Sequence, residues 1–169
     1  MIKGLHHAAY RCRDSEETRR FYEDFLGLPL VGAFEINETK TGRTTRVLHT
    51  FYQMDDGSCV AFFEAPDMAF DFKPQHDYDL HIALEVGVED LHAMLARGKA
   101  AGIETRGVSD HRFIHSVYFR DPNGYVLELT AKTPAHADAM SAQHGAHDAA
   151  ARALHAWQAR KTEEAQAPA

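Results

Sequence analysis

Glu128 lies in the run Tyr125-Val126-Leu127-Glu128-Leu129-Thr130, a carboxylate between two leucines in a β-rich stretch. A charged group embedded this way needs a metal, a cation or hydrogen-bond donors to hold it there. Its nearest sequence partners lie in Phe113 to Phe119, joined to it by Asp121-Pro122-Asn123-Gly124. Pro presets φ and Asn-Gly accepts positive φ, so this tetrapeptide reads as a tight turn and the whole stretch as a hairpin. Alternation along the first strand places Ile114, Ser116 and Tyr118 on one face and His115, Val117 and Phe119 on the other. On the second strand Val126, Glu128 and Thr130 share a face. The chain also holds 12 histidines, an unusual number, although His136, His144, His147 and His155 lie in an Ala-rich tail.

The elements that must position these groups follow from length and pattern. A chain of 169 residues, 44% hydrophobic and 25% charged, supports one compact unit or two small repeated modules. A net charge of -7 gives no electrostatic footprint for nucleic acid. Cys12 and Cys59 are too few for a disulfide framework and read as buried thiols of a reduced cytoplasm. No apolar run reaches membrane-spanning length, and the first residues lack a signal-peptide pattern, so a cytoplasmic location is expected.

Along the chain, Leu5 to Cys12 reads as a strand with His7, Ala9 and Arg11 on one face. Asp14 or Ser15 caps a helix with Glu16 and Glu17 in its first turn. Phe21, Tyr22, Phe25 and Leu26 recur at helical spacing, and Gly27 ends it. Strands are expected at Leu28 to Glu35, Thr44 to Met54 and Cys59 to Glu64, with a polar turn over Ile36 to Arg43. Ala65 to Asp79, with Pro66 and Pro74, reads as a linker or a partly ordered loop. The same order then returns: strand Leu80 to Val86, helix Val88 to Ala101, strand Thr105 to Val108, and the hairpin. The two modules open alike, with His7-Ala8-Ala9-Tyr10 and His81-Ile82-Ala83-Leu84. The divisions are therefore 1–64, a linker 65–79, 80–131, and an Ala-rich tail 132–169 with a helix from about Ala146 to Glu164. Leu154 and Trp157 give that helix an apolar edge, and the chain is expected to fray from Glu163.

A duplicated strand-helix-strand-strand-strand pattern, with a His opening each module and a Glu in the last strand, resembles the vicinal oxygen chelate superfamily. That superfamily includes glyoxalases, extradiol dioxygenases, and bleomycin- and fosfomycin-resistance proteins. Asp14, Phe21-Tyr22, Leu26-Gly27-Leu28 and Asp121-Pro122-Asn123-Gly124 carry the resemblance further, which covers about residues 4 to 131. It implies an α+β fold in which two βαβββ modules curl into a mixed β-sheet barrel around a metal cavity, with a C-terminal helix added. It also implies His7, His81 and Glu128 as metal ligands. Two imidazoles and one carboxylate suit Fe(II), with Mn, Ni or Zn as alternatives. Glyoxalases add a fourth ligand in the fourth strand. Aligning Val60 with Val126 sets Phe62 opposite Glu128, and a small register shift would bring Glu64 to the metal.

His111, five residues, Val117-Tyr118, Asp121-Pro122, Gly124 and Glu128 also resemble the spacing pattern of extradiol dioxygenases. The match departs at Ser109, where Gly, Asn, Thr, Ile or Val is usual. It departs again in the further acid-base His of those enzymes, for which the linker offers only His76. The resemblance implies His111 and Tyr118 as catalytic residues that bond the substrate oxygens of a small catechol, with dioxygen as co-substrate. An Fe(II) extradiol-type dioxygenase is thus the first expectation. The alternatives are a glyoxalase-type isomerase or lyase with Glu64 as fourth ligand, and a non-catalytic small-molecule binding protein on the same scaffold. A homodimer is the implied assembly.

Overall fold

Asp14 starts the first helix as expected. In the computed structural model its backbone is extended and its carboxylate accepts the N–H of Glu17 at 2.8 Å, satisfying one of the donors that a helix start leaves unpaired. Helix α1, Ser15–Arg19, passes directly into a π-helical stretch, Arg20–Phe25. Phe21, Tyr22 and Phe25 are buried from that stretch, and Gly27 leaves it at a φ of 88°, where a glycine has no Cβ to clash. The structure describes the backbone of residues 2–141 and 145–166, with side chains in the second range only through Lys161.

Among the described residues eight strands follow the duplicated order: β1 His7–Cys12, β2 Leu30–Glu38, β3 Thr44–Gln53, β4 Cys59–Glu64, β5 His81–Glu85, β6 Thr105–Asp110, β7 Ile114–Arg120 and β8 Val126–Lys132. They make two four-stranded sheets, ordered β1-β4-β3-β2 and β5-β8-β7-β6. In each, the first strand of a module pairs with its last, the repeat expressed as topology. The first sheet is mixed, with β1 parallel to β4 and the other pairs antiparallel. Both sheets are open, so the expected barrel resolves into two curled-sheet halves and is not closed.

Two strands run further toward the C-terminus than expected. Strand β2 runs on to Glu38, because Ile36 pairs with Val47 and Glu38 with Thr44, and the turn shrinks to Thr39–Arg43, closed by Thr39 N–H on the Arg43 carbonyl at 2.9 Å. Strand β6 likewise continues to Asp110. Cys12 and Cys59 are buried free thiols, as read.

The chain packs as two compact units, Met1–Ile82 with Phe119–Leu127, and Ala83–Tyr118 with Glu128–Ala169. In the first, Tyr22 is fully buried, its ring 4.6 Å from that of Phe62 and 5.6 Å from that of Tyr52. Each such aromatic stabilises the fold by roughly 1.5–3 kcal/mol through burial. The Asp121 turn belongs to this unit through polar anchors. Tyr22 donates to Asp121 Oδ2 at 3.1 Å, Arg13 N–H to Asn123 Oδ1 at 2.8 Å, and the Tyr125 hydroxyl to the Arg11 carbonyl at 2.8 Å. Burial lifts the Asp121 carboxyl above the usual range, opposed by bonds from Asn123, Tyr125 and Tyr22. The 65–79 linker is tied down as well: Arg11 stacks on Phe70 and Arg13 on Phe72, and Gln75 N–H reaches the Gly124 carbonyl at 2.8 Å.

In the second unit, helix α2, Val88–Ala100, buries Leu91. A short helix α3, His136–Met140, forms in the Ala-rich tail, where the sequence pattern points to no helix before Ala146. Helix α4, Ala146–Gln166, continues past Glu163, while Leu154 and Trp157 on its expected apolar edge are exposed in the single chain. His144 and residues 167–169 lie outside the described residues. Among the described residues no helix is long and apolar enough to cross a membrane.

Candidate functional site

Glu128 is 6% exposed, and the structure supplies the donors that such a carboxylate requires. Ser116, fully buried on β7, donates its hydroxyl to Glu128 Oε1, and Thr130 Oγ1 lies 3.4 Å from Ser116 Oγ. Two residues along the same face of β7, the Tyr118 hydroxyl also bonds Glu128. Burial first, and then the Glu128 charge, push the Tyr118 phenol above its usual range. A phenol so placed stays protonated at neutral pH and acts as a donor. With that proton directed at Glu128, its oxygen accepts from His111 Nε2–H at 2.9 Å. The Arg106 guanidinium on β6 stacks 4.6 Å over the Tyr118 ring.

His111 is aimed by the hairpin between β6 and β7. Its N–H bonds the Ile114 carbonyl at 3.0 Å, which forces Arg112 to a φ of 73°. A non-glycine residue there costs on the order of 1–3 kcal/mol. Asp110 Oδ1 on Arg112 N–H and the Thr133 hydroxyl on the Arg112 carbonyl hold the turn. His115, on the opposite face, sits 3.6 Å from Asp110 and not beside Tyr118. His76 accepts the Tyr78 N–H within its own loop.

His81 opens β5, the strand beside β8. Its Nδ1 is 2.7 Å from the Asp77 carbonyl. A carbonyl only accepts, so Nδ1 carries the proton and the lone pair lies on Nε2, the tautomer that a metal-ligating imidazole held by a backbone carbonyl adopts. His7 opens β1 on the first sheet, its Nδ1 2.7 Å from that of His6. The two adjacent rings turn toward each other, because His6 precedes the strand and escapes its alternation. The His7 ring lies 5.3 Å from Phe51 and 6.0 Å from His49. His49 stacks on Phe63 at 3.7 Å and donates Nδ1–H to the Phe62 carbonyl, and burial holds it below the usual imidazole range.

Glu64 has a different occupation. Its carboxylate accepts Ser15 N–H at 2.8 Å, capping α1. The register pairs His7 with Cys59, Ala9 with Ala61 and Arg11 with Phe63. The His7 face of the sheet therefore carries Ala61, while Phe62 and Glu64 point to the helix side. Each group by itself has chemistry that suits a divalent ion: His81 offers an imidazole held by a backbone carbonyl, and Glu128 a buried carboxylate. Among the described residues of one chain, no three His, Cys, Asp or Glu side chains converge closely enough to hold it. The structure thus unites His111, Tyr118 and Glu128, while His7 stands on the first sheet. Ser116 and Arg106 were not singled out as functional. Alternation had put Ser116 on the Tyr118 face, but nothing in the pattern of β6 marks Arg106.

Residues 4–129 match the model of the glyoxalase/bleomycin resistance protein/dioxygenase superfamily. A probable lactoylglutathione lyase of Vibrio cholerae is 29% identical over 134 residues, covering 78% of this chain and 92% of that protein. A fosfomycin resistance protein, FosX, of Listeria monocytogenes, solved with Mn(II) and sulfate, aligns at a TM-score of 0.58 and 23% identity over 80% of this chain and 98% of its own. A glyoxylase/bleomycin resistance protein/dioxygenase domain from Frankia sp. EAN1pec aligns at 0.62 and 20% identity over 79% and 100%. These two structures support the fold. With three quarters of its length inside the family model and the strand order repeated in both sheets, the chain belongs to the glyoxalase/bleomycin resistance protein/dioxygenase superfamily.

Proposed function

We propose that this protein is a metal-dependent lyase or isomerase of the glyoxalase type, acting on a small oxygenated substrate. The observation that carries the reading is the line from His111 Nε2 through the Tyr118 hydroxyl to buried Glu128. His7, His81 and Glu128 would hold a divalent ion, and the Mn(II) in the Listeria structure supports manganese beside iron, nickel or zinc. When bound, the metal would supply Lewis acidity to the substrate oxygens. Tyr118 then gives its proton to a substrate oxygen presented next to Glu128, and His111 Nε2–H replaces it. The reverse transfer returns the proton at the end of the cycle, so this line only balances charge on that oxygen, while the hydrogen that an isomerisation moves between two carbons leaves the reaction redox-neutral overall. Ser116 holds Glu128 in place through its hydroxyl. A homodimer would bring two copies of each of these ligands into one assembly.

The test is elemental analysis of the purified protein followed by turnover of the methylglyoxal–glutathione hemithioacetal. Tyr118→Phe is expected to keep its metal and lose on the order of 10²–10⁴ in kcat. A wild-type protein that holds no divalent metal would overturn the reading. One observation favours a second reading, ring cleavage of a catechol with Fe(II): His111 and Tyr118, which the dioxygenase pattern requires as a pair, meet at 2.9 Å. Oxygen uptake with catechol by the iron-loaded protein, without hemithioacetal turnover, would select it.

A further inference from the structure

Helix α4 lies beyond residues 4–129, which match the family, and every described side chain from Arg152 to Lys161 is exposed. Alanine is the strongest helix former, so the alanines of this segment explain why it coils. They do not explain Leu154 and Trp157, three residues apart and left 57% and 55% exposed. Trp157 is the single tryptophan of the chain, and it stays open to solvent with the Arg160 guanidinium 5.7 Å from its ring centre. We infer that α4 pairs antiparallel with α4 of a second copy of this chain. Ala146, Ala150, Leu154, Trp157 and Lys161 recur at spacings of four and three, so they form one stripe. The stripe is small in its N-terminal half and large in its C-terminal half. An antiparallel crossing at Ala153–Leu154 sets Trp157 of one copy on Ala150 of the other, so each large side chain meets a small one. A parallel pair would stack Trp157 on Trp157 and leave Ala150 facing Ala150 across a void. It would also set Arg160 and Lys161 against their own copies, whereas the antiparallel pair carries these cations to the end of the partner helix that holds Asp148. With 21 residues α4 is about 31 Å long. A third of its surface buried from each copy is on the order of 1,000 Å², the lower bound of a specific interface, so the pairing is reversible.

The experiment is sedimentation equilibrium of the full chain over about 1–100 µM, with Trp157 emission recorded at the same concentrations. Wild type is expected to show a concentration-dependent association step, and its emission to shift to the blue as that step saturates. Ala150→Glu and Leu154→Glu put like charges on the seam and should each weaken the step at least tenfold. Both positions are exposed in the single chain, so thermal unfolding at low concentration should match wild type. Orientation is read by oxidative cross-linking, with the native Cys12 and Cys59 buried. Ala153→Cys should link to its own copy and Ala150→Cys should not. The inference is overturned by a wild type that stays monomeric over this range, by an association that both charged variants leave within twofold of wild type, or by cross-linking through Ala150→Cys in place of Ala153→Cys. A blue-shifted Trp157 in a monomer would overturn it too, because the stripe would then fold back on its own chain. None of these readouts depends on a metal or a substrate, so their outcome is separate from that of the proposed function.

Discussion

Removing one hydroxyl tests the network around Glu128. Ser116→Ala deletes the donor to Glu128 Oε1 at a position that is fully buried, against a carboxylate only 6% exposed. A hydrogen bond to a charged group contributes about 1.5–3 kcal/mol, and a buried charge that loses it gains no water in exchange. Tyr118 remains as a second donor, which places the expected loss near the middle of that range, about 2 kcal/mol. For a chain of this size that is a fall of roughly 4–8 °C in Tm. The assay is thermal unfolding of the metal-free protein at neutral pH, followed by circular dichroism, for Ser116→Ala, Glu128→Gln and the double variant. With glutamine at 128 the lost bond is neutral, so Ser116→Ala should then cost only about 1 kcal/mol. A Tm change under a degree, or the same loss in both backgrounds, would show that Ser116 does not support a charged Glu128.

Further tests probe the turn and the first helix. Gly124 has a φ of 93° and an added Cβ would lie 2.6 Å from the Lys73 carbonyl oxygen. Gly27, at 88°, has nothing within 4 Å of that position. Gly27→Ala should therefore cost only the left-handed penalty of about 1–2 kcal/mol, and Gly124→Ala clearly more, read as the shift in urea midpoint at constant m-value. Asp121 supplies a pH test. Its carboxyl is raised in the folded protein, so the native state holds this proton more tightly than the unfolded chain. The stability it contributes is present below the unfolded carboxylate pKa and lost as pH rises through the folded value. Asp121→Asn should flatten that part of the stability–pH curve, and an unchanged slope would exclude Asp121 as its source.

Much of this arrangement was legible because it depends on neighbours in sequence. The Asp14 cap, the Asp121-Pro122-Asn123-Gly124 turn and the pairing of His111 with Tyr118 are set within one element or one hairpin, where spacing fixes geometry. The alternation that put Ser116 beside Tyr118 is equally local. What could not be read depends on which strand lies beside which. Arg106 meets Tyr118 only because β6 and β7 are neighbours, and no periodicity in β6 points to it. The turn of His6 toward His7 does not follow from alternation, because His6 stands one residue outside β1.

Glu64 is the sharpest case, since a one-residue error in register turns every side chain of a strand to the other face. Aligning Val60 with Val126 set Phe62 opposite Glu128 and left Glu64 within a small shift of the metal. The β1–β4 register instead gives the His7 face to Cys59, Ala61 and Phe63. Glu64, paired with Cys12, turns to α1 and takes the Ser15 N–H. On the His7 face β4 presents Cys59, Ala61 and Phe63, none of them a carboxylate. Glu64→Ala should therefore leave metal content unchanged and cost about 1 kcal/mol through the lost helix cap, measured by elemental analysis and thermal unfolding on the same preparation. Loss of metal with no change in stability would place Glu64 at the metal, reverse the face assignment of β4, and return the four-ligand form of the site.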